Sequence, residues 1–155
     1  MEKVLISACL AGERVRYNGE ALKPVHEKLV QLVEKGLAVL FCPEVAAGLC
    51  VPRDPAEIVG EGGGDGVLRG KAKVMSCTSE DVSGWFVAGA RLALELCQKE
   101  GIARAILKER SPSCGASAIY GGDFSGTLIE GEGVATSLLR RHGIQVLSEA
   151  ALDEI

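Results

Sequence analysis

The chain has 155 residues, of which 47% are hydrophobic and 25% are charged, as in an ordinary globular protein. Its formal net charge is −4, so it lacks the basic surplus that is typical of proteins that bind nucleic acid. No apolar run approaches the roughly 18 residues of a membrane span, and the N-terminus lacks the layout of a signal peptide. We therefore expect one domain over residues 1–155, located in the cytoplasm, with neither nucleic acid nor membrane as a partner.

Apolar runs alternate with segments of helical spacing along the chain. The predicted strands are Lys3–Ala8, Leu37–Phe41, Ala103–Lys108 and Ile144–Leu147. The predicted helices are Lys23–Lys35, with Pro24 in its first turn, Ser79–Lys99 and Val134–His142. Continuously apolar strands that alternate with helices indicate a parallel sheet covered on both faces. The predicted fold is therefore α/β, a small doubly wound, Rossmann-like domain.

One segment, Gly60–Gly70 (GEGGGDGVLRG), is rich in glycine. It lacks the preceding strand and the following helix of a dinucleotide-binding fingerprint, and it lacks the Lys-Ser/Thr pair of a P-loop. The flexibility of glycine predicts a mobile surface loop here. A lid over an active site is the functional alternative.

Six cysteines are the most informative residues of the sequence: Cys9, Cys42, Cys50, Cys77, Cys97 and Cys114. A reducing compartment argues against structural disulfides, and cytosolic cysteines are more often buried residues, catalytic thiols or metal ligands. Cys9, Cys42 and Cys114 each follow a predicted strand. Open α/β sheets bind ligands at the carboxyl ends of their strands. We therefore expect these three thiols to converge on one site.

The other three cysteines give weaker signals. Cys97 lies on the apolar face of a predicted helix and is interpreted as a core residue. Cys50 and Cys77 stay unassigned. The sequence contains no Cys-x-x-Cys pair, which excludes a zinc ribbon, a thioredoxin motif and a compact ferredoxin-like run.

Each of the three strand-end cysteines lies in a distinctive local sequence. These are SACLAG around Cys9, CPE at Cys42 and SPSCG around Cys114. Thiolates are soft ligands that select zinc, copper(I) or an iron–sulfur cluster over hard ions. A set of three leaves a coordination position open to substrate. The spacing does not choose among these groups.

In these three motifs the chain resembles the thiouracil desulfidase family, which was long a domain family of unknown function. The resemblance implies a 4Fe-4S cluster held by three cysteines, with one iron free to take sulfur from a small thiolated molecule. The ligands carried over by motif are Cys9, Cys42 and Cys114. The catalytic carboxylate carried over is Glu44, and the catalytic serine is Ser111.

A hydrolytic mechanism follows as a hypothesis. An exposed iron polarises a thiocarbonyl group, water positioned by Glu44 as general base attacks the carbon, and Ser111 donates a hydrogen bond or a proton to the substrate. Thiouracil-like bases and thioamides are the expected substrates. The candidate residues for orienting the substrate or balancing the cluster charge are Arg16, Arg53 and Lys108. Among the aromatic residues that could stack on a pyrimidine, Tyr17 and Tyr120 are expected nearest the site, because they are closest in sequence to the motif loops.

Two alternatives belong to other functional classes. The first is a sulfur or cluster carrier without its own turnover. The second is a small-molecule binding protein in which the three cysteines hold zinc. The metal and acid-labile sulfide content of the protein would distinguish a zinc site from an iron–sulfur cluster. Transfer of sulfide or of a cluster to a partner protein, without hydrolysis of thioamides, would identify a carrier.

Overall fold

The structure is a computed structural model that describes residues 2–20 and 25–154. The strands are β1 (Val4–Ser7), β2 (Ala38–Phe41), β3 (Ala56–Gly60), β4 (Ala72–Ser76), β5 (Arg104–Leu107), β6 (Ala118–Tyr120), β7 (Leu128–Glu130) and β8 (Gln145–Ser148). The α-helices are α1 (Glu27–Glu34), α2 (Pro43–Ala46), α3 (Gly63–Leu68), α4 (Ser83–Glu100) and α5 (Val134–Arg141). Two 3₁₀ segments cover Ala8–Ala11 and Glu149–Glu154.

The central sheet has four parallel strands in the order β2-β1-β5-β8. In its register, Ile6 pairs with Leu40 on one side and with Ile106 on the other. Strand β2 lies on one side of β1, and β5, which comes later in the chain, lies on the other side. The direction in which strands are added to the sheet therefore reverses at β1. The predicted α/β class with a parallel sheet is confirmed.

Alternate residues of β1 enter different cores, because successive side chains of a strand point to opposite faces. Leu5 packs in the cluster that contains Cys97 of α4 and Leu139 of α5. Val4 and Ile6 pack in a second cluster with Leu29 of α1. Helices therefore cover both faces of the sheet, which explains why its strands read as continuous apolar runs.

Helix α4 has the buried face that the sequence predicts, which includes Phe86, Ala90 and Cys97. It begins at Ser83 rather than at Ser79. Ser79 has a positive φ of 66°, and Asp81 forms an antiparallel bridge with Met75, so the residues before Ser83 extend the β4 edge.

Helix α1 begins at Glu27 rather than at the predicted Lys23, and His26 is its N-cap. Residues 21–24 lie outside the described chain, and the predicted position of Pro24 in the first turn lies there too.

The sequence patterns missed two antiparallel hairpins. Strands β3 and β4 pair with each other, and so do β6 and β7. The second hairpin uses strands of three residues, which are too short to show an alternating pattern. Both hairpins lie outside the central sheet.

The glycine-rich segment Gly60–Gly70 is not the mobile surface loop that its composition predicts. It contains helix α3, and Gly64, Gly66 and Val67 of that helix are buried. A Cβ on Gly64 would lie 2.2 Å from the carbonyl oxygen of Gly133. The glycines therefore allow close packing against the start of α5. No residue of the segment lines the cavity described below, so the structure does not place a lid there.

Within residues 2–20 and 25–154, no helix combines the length and the apolar character that a membrane span requires. The organisation of residues 1–155 as a single domain stays a prediction.

Candidate active site

A cavity of about 430 Å³ opens at the carboxyl ends of three adjacent strands, β2, β1 and β5. Cys9, Cys42 and Cys114 all line it. Each follows a different one of these strands, so the parallel sheet brings together residues that are far apart in sequence. The structure thus places the three predicted cysteines at one site.

Cys9 lies in the 3₁₀ turn Ala8–Ala11, directly after β1, and is buried. Gly12 ends this turn with a φ of 97°, a left-handed conformation that favours glycine. The Gly12 amide donates to the carbonyl oxygen of Cys9 at 3.4 Å. The turn holds the thiol against the end of the sheet.

Cys42 is the N-cap residue of α2, and Pro43 occupies the first turn of that helix. The turn places Glu44 beside the cavity, two residues after Cys42. Helix α4 packs closely on α2, because a Cβ on Gly89 would lie 2.3 Å from the carbonyl oxygen of Pro43. The close approach at Gly89 therefore supports the Cys42–Glu44 segment.

Cys114 lies in the loop after β5, and the first turn of α5 fixes that loop. The amides of Val134 and Ala135 each donate at 2.8 Å to carbonyl oxygens of the loop, those of Pro112 and Ser113. The Thr136 hydroxyl donates to the Cys114 carbonyl oxygen at 2.9 Å. The first amides of a helix have no partner within the helix. Here the cysteine loop supplies those partners.

Burial raises the pKa of all three thiols. The pKa of Cys9 is about 11, because of burial and then of the neighbouring Cys42, although Lys108 and Arg16 oppose the shift. The pKa of Cys114 is about 12, also through burial first. Burial likewise raises the pKa of Cys42. Without a bound metal the thiols are protonated at neutral pH, so ligation by thiolates must release their protons.

Glu44 is connected to both serines of the SPSCG motif. The Ser113 hydroxyl donates to Glu44 Oε2 at 2.8 Å, and the Ser111 and Ser113 hydroxyl oxygens are 2.8 Å apart. A hydroxyl has one hydrogen and a carboxylate only accepts, so Ser111 donates to Ser113, which donates to Glu44. Ser111 Oγ also accepts from the amides of Ser113 and Cys114, each at 3.1 Å.

Ser113 is the functional candidate that the sequence reasoning did not single out. It is 1% exposed and lines the cavity between the two predicted catalytic residues. The available signal was the motif itself, in which a second hydroxyl residue immediately precedes Cys114. Sequence spacing cannot show which of two such serines contacts a carboxylate 69 positions away.

Arg53 forms an ion pair with Glu44, with 3.2 Å between Nε and Oε1, and their side chains are only 8% and 14% exposed. Its guanidinium also donates to the carbonyl oxygens of Cys50 and Val15. These bonds place Arg53 where it orients the Glu44 carboxylate. Its predicted contact with substrate stays a prediction.

The other residues predicted to bind substrate also line the cavity: Arg16, Tyr17 and Lys108. Lys108 is paired with Glu149 at 2.9 Å. Its positive charge, like that of Arg16, lowers the pKa of Cys9, so both cations lie where they offset negative charge on thiolates. Tyr17 is 41% exposed at the cavity rim.

The remaining cysteines lie away from the cavity. Cys97 is buried in the core, as predicted. Cys77 is exposed. Cys50 is also exposed, and its thiol donates to the Pro52 carbonyl oxygen at 3.4 Å. None of the three lines the cavity.

The lining of the cavity thus divides into two walls. The cysteine wall comprises the segments that carry Cys9, Cys42–Glu44 and Ser111–Cys114. The hairpin wall comprises Ala56–Glu57 of β3 together with Tyr120 and Phe124 of the β6–β7 hairpin. The hairpin wall supplies two aromatic rings and one carboxylate to the lining of the cavity.

Three thiols around one cavity, two of them buried and Cys42 half-buried, suit a soft, bulky inorganic group better than a hard cation. Among the side chains of residues 2–20 and 25–154, no three of His, Cys, Asp and Glu are arranged around a single metal ion. An iron–sulfur cluster makes a different demand, since each thiolate binds its own iron. The three cysteines therefore fit a cluster as its ligands.

The model of the 2-thiouracil desulfurase family matches residues 4–151. The chain belongs to this family. The predicted resemblance is confirmed. TudS, a [4Fe-4S]-dependent thiouracil desulfidase of solved structure, is 49% identical, with a TM-score of 0.90 over 99% of this chain and 95% of that chain. The uncharacterised protein YbbK of Bacillus subtilis (strain 168) is 43% identical over 152 residues, which cover 98% of this chain and 99% of YbbK.

Proposed function

We propose that this member of the 2-thiouracil desulfurase family removes sulfur from a thiouracil-like base by hydrolysis. The predicted enzyme class, a 4Fe-4S-dependent desulfidase, is confirmed by the family and by the likeness to TudS. We assign the cluster ligands to Cys9, Cys42 and Cys114, and the general base to Glu44. One observation carries this assignment: all four residues line the same cavity.

The proposed reaction exchanges a C=S bond for a C=O bond. Water supplies the oxygen, and its two hydrogens leave with the sulfur as hydrogen sulfide, so no electrons are transferred and no redox partner is needed. When bound, the cluster supplies an iron with an open position, which attracts the soft sulfur and polarises the C=S bond. The protein residues supply water activation and proton movement.

Glu44 has the geometry of a general base held in place. Arg53 occupies one lone pair of Oε1, and Ser113 occupies one of Oε2. Each carboxylate oxygen accepts two hydrogen bonds, so both retain capacity for water. Because its partners fix the carboxylate on both sides, Glu44 presents this capacity in one orientation toward the cavity.

The serines complete a route for protons. Ser111 donates to Ser113 and Ser113 donates to Glu44. After Glu44 has taken a proton from water, the chain can run in reverse: Glu44 passes a proton to Ser113, Ser113 passes its own to Ser111, and Ser111 delivers its own to the substrate. The amides of Ser113 and Cys114 hold Ser111 Oγ in place. Ser113 therefore couples the proposed base to the proposed acid.

Anaerobic reconstitution tests the proposal. The loaded protein is expected to contain about four iron and four acid-labile sulfide per chain, as a 4Fe-4S cluster requires, and to release sulfide from 2-thiouracil. Glu44→Gln is expected to keep its iron and lose about 10²- to 10⁴-fold in kcat, the range for general acid–base catalysis.

Glu130→Gln, on the exposed strand β7, is the matched control and is expected to behave as the wild type. Normal turnover by loaded Glu44→Gln would overturn the base assignment. One zinc per chain, or sulfur transfer without hydrolysis, would support the binding-module or the carrier alternative instead.

A further inference from the structure

The hairpin wall contains a buried carboxylate that the proposed hydrolysis does not use. Glu57 lies in β3, is 8% exposed, and lines the cavity. It forms no ion pair with any cation among the described residues. A buried carboxylate without a cation is costly unless hydrogen bonds compensate it. The partners of its two oxygens therefore indicate what the group does.

One oxygen of Glu57 is committed to the protein. Oε1 accepts from the amide of Gly122 at 2.8 Å and from the amide of Phe124 at 3.2 Å. These bonds tie the β6–β7 hairpin to β3. Gly122 approaches β3 closely, since a Cβ there would lie 2.6 Å from the Ile58 carbonyl oxygen. Oε1 thus holds in place the loop that contains Phe124, a residue of the cavity lining.

The second oxygen is open. Oε2 accepts no hydrogen bond from the described residues. Across these residues, no fully buried side-chain oxygen or nitrogen lacks a partner, so Oε2 retains some access to solvent, and Glu57 lines the cavity. Of the cations that line the cavity, Arg53 pairs with Glu44 and Lys108 pairs with Glu149, and neither Arg16 nor Arg110 forms an ion pair with Glu57. Glu57 therefore brings an acceptor without a cationic partner to the lining of the cavity.

Thiouracils present the matching donors. Each carries ring N–H groups beside its thiocarbonyl and carbonyl groups, and an N–H group is the donor that a carboxylate oxygen accepts. Tyr120 and Phe124 lie on the same wall as Glu57 and offer faces for a planar ring. In 2-thiouracil a ring N–H lies on each side of the C=S group, so a ring that turns its C=S group toward the cysteines presents an N–H donor to an acceptor beside that group.

We propose that Glu57 Oε2 accepts a hydrogen bond from one ring N–H of the substrate and thereby selects cyclic thioamides and thioureides with a free N–H at that position. This inference rests on the proposed function, because it names the substrate class of the same site. The two N–H groups of 2-thiouracil lie on opposite sides of its C=S group, so a single carboxylate oxygen contacts only one of them. Methylation of that nitrogen removes the donor and adds bulk, whereas methylation of the other nitrogen leaves this contact intact.

The Glu57→Gln variant distinguishes the proposed contact of Glu57 with the substrate from its contact with the β6–β7 hairpin. The amide oxygen can replace Oε1 and keep the bonds from Gly122 and Phe124, while the amide nitrogen replaces Oε2 and turns an acceptor into a donor. A residue with a purely structural role would tolerate this change. A residue that reads a substrate N–H would not.

The experiment compares 2-thiouracil with its N1-methyl and N3-methyl derivatives on the anaerobically loaded protein. Sulfide release gives kcat/KM, and calorimetry with uracil, 1-methyluracil and 3-methyluracil gives Kd without turnover. For the wild type, one methyl isomer is expected to be impaired tenfold or more in both measurements, a typical cost of losing a hydrogen bond to a charged group. Glu57→Gln is expected to bind uracil at least tenfold more weakly and to lose the discrimination between the isomers.

Glu130→Gln, which removes a charge from the same hairpin at an exposed position, is expected to keep the wild-type preference. Equal use of both methyl isomers and the parent base by the wild type overturns the inference, and this result does not depend on any variant folding. Unchanged discrimination in Glu57→Gln also overturns it. Failure of the proposed function is a separate result, namely no sulfide release from 2-thiouracil, in which case the Kd values alone decide the role of Glu57.

Discussion

The two walls of the cavity are built in different ways. The cysteine wall consists of short segments at the ends of parallel strands, held by the central sheet and by α2 and α5. The hairpin wall consists of antiparallel pairs outside that sheet, joined by the Glu57 carboxylate. The difference separates two tasks: the sheet places the groups that do chemistry, and the hairpins place the groups that contact the rest of the ligand. Variants in each wall should therefore have different effects.

The largest effect is expected on the cysteine wall. Cys114→Ala removes a proposed cluster ligand, so iron and sulfide content should fall and activity should drop by more than about 100-fold, beyond the usual cost of changing a group that only supports a ligand. Metal analysis and sulfide release measure this. Cys77→Ala, at an exposed cysteine outside the cavity, is the control. Full cluster content in Cys114→Ala would remove Cys114 from the ligand set.

Glu109 connects the two walls. Burial opposes its ionisation, but hydrogen bonds from the amides of Ser117, Ala118 and Ala116 and from the Ser117 hydroxyl lower the pKa of Glu109 to about 2, from 4.5. Glu109→Gln should cost about 2 kcal/mol of unfolding free energy at pH 7, as expected for hydrogen bonds to a charged group.

The sign of the pH dependence follows from that lowered pKa. The folded protein binds the proton less readily than the unfolded chain, so the stabilisation is fully present above about pH 4.5 and is lost as the pH falls toward 2. Urea unfolding of wild type and Glu109→Gln from pH 7 to pH 3 measures the difference, which should shrink on acidification. A difference that stays constant over this range would contradict the assignment.

Ser113 tests how tightly the cysteine wall is organised. Ser113→Ala removes the donor to Glu44 and interrupts the link to Ser111, so kcat should fall about tenfold, roughly the worth of one hydrogen bond to a charged group. KM and iron content should change little, because no ligand residue and no residue of the hairpin wall is replaced, and the Ser113 hydroxyl lies 3.5 Å from Cys114 Sγ but 2.8 Å from Glu44 Oε2. Steady-state kinetics on protein of equal iron content measures the effect. A rise in KM at constant kcat would instead make Ser113 a binding residue.

The smallest effect is expected at the rim of the hairpin wall. Phe124 is 40% exposed, so Phe124→Ala should remove only part of an aromatic contact and raise the Kd for uracil about threefold to fivefold, at the lower end of the range for aromatic pairs. Calorimetry on the loaded protein measures it. Leu128→Ala, an exposed apolar residue of β7 outside the cavity, is the control. A loss of iron in Phe124→Ala would show that the two walls are not separable.

The sequence predicted the cysteine wall because its signals are local. Continuous apolar runs mark the parallel strands, and three of these strands are followed by a segment that carries a cysteine, so sheet topology brings the thiols together. The hairpin wall has no such signal. Its strands are short, and the bond from Glu57 to Gly122 joins residues 65 positions apart. No residue pattern around Glu57 distinguishes it from a surface glutamate.

Helix α3 was not predicted from the sequence, for a related reason. Glycine has a low helix propensity, and GGDGVL reads as a flexible segment when taken alone. Its helical state depends on packing against α5, where only residues without a side chain fit. Tertiary contacts thus overrode the local preference in a way that composition could not indicate.

The bonds between the Cys114 loop and the first turn of α5 have a consequence for motion. The amides of Val134 and Ala135 can exchange with solvent only when those bonds to the loop open, so their exchange rates report on the loop itself. The loop shares the stability of a helix that is packed in the core, which makes it part of a cooperative unit rather than an independent arm. Because these hydrogen bonds are made by the protein itself, we expect the loop to need little further ordering when the cofactor is loaded.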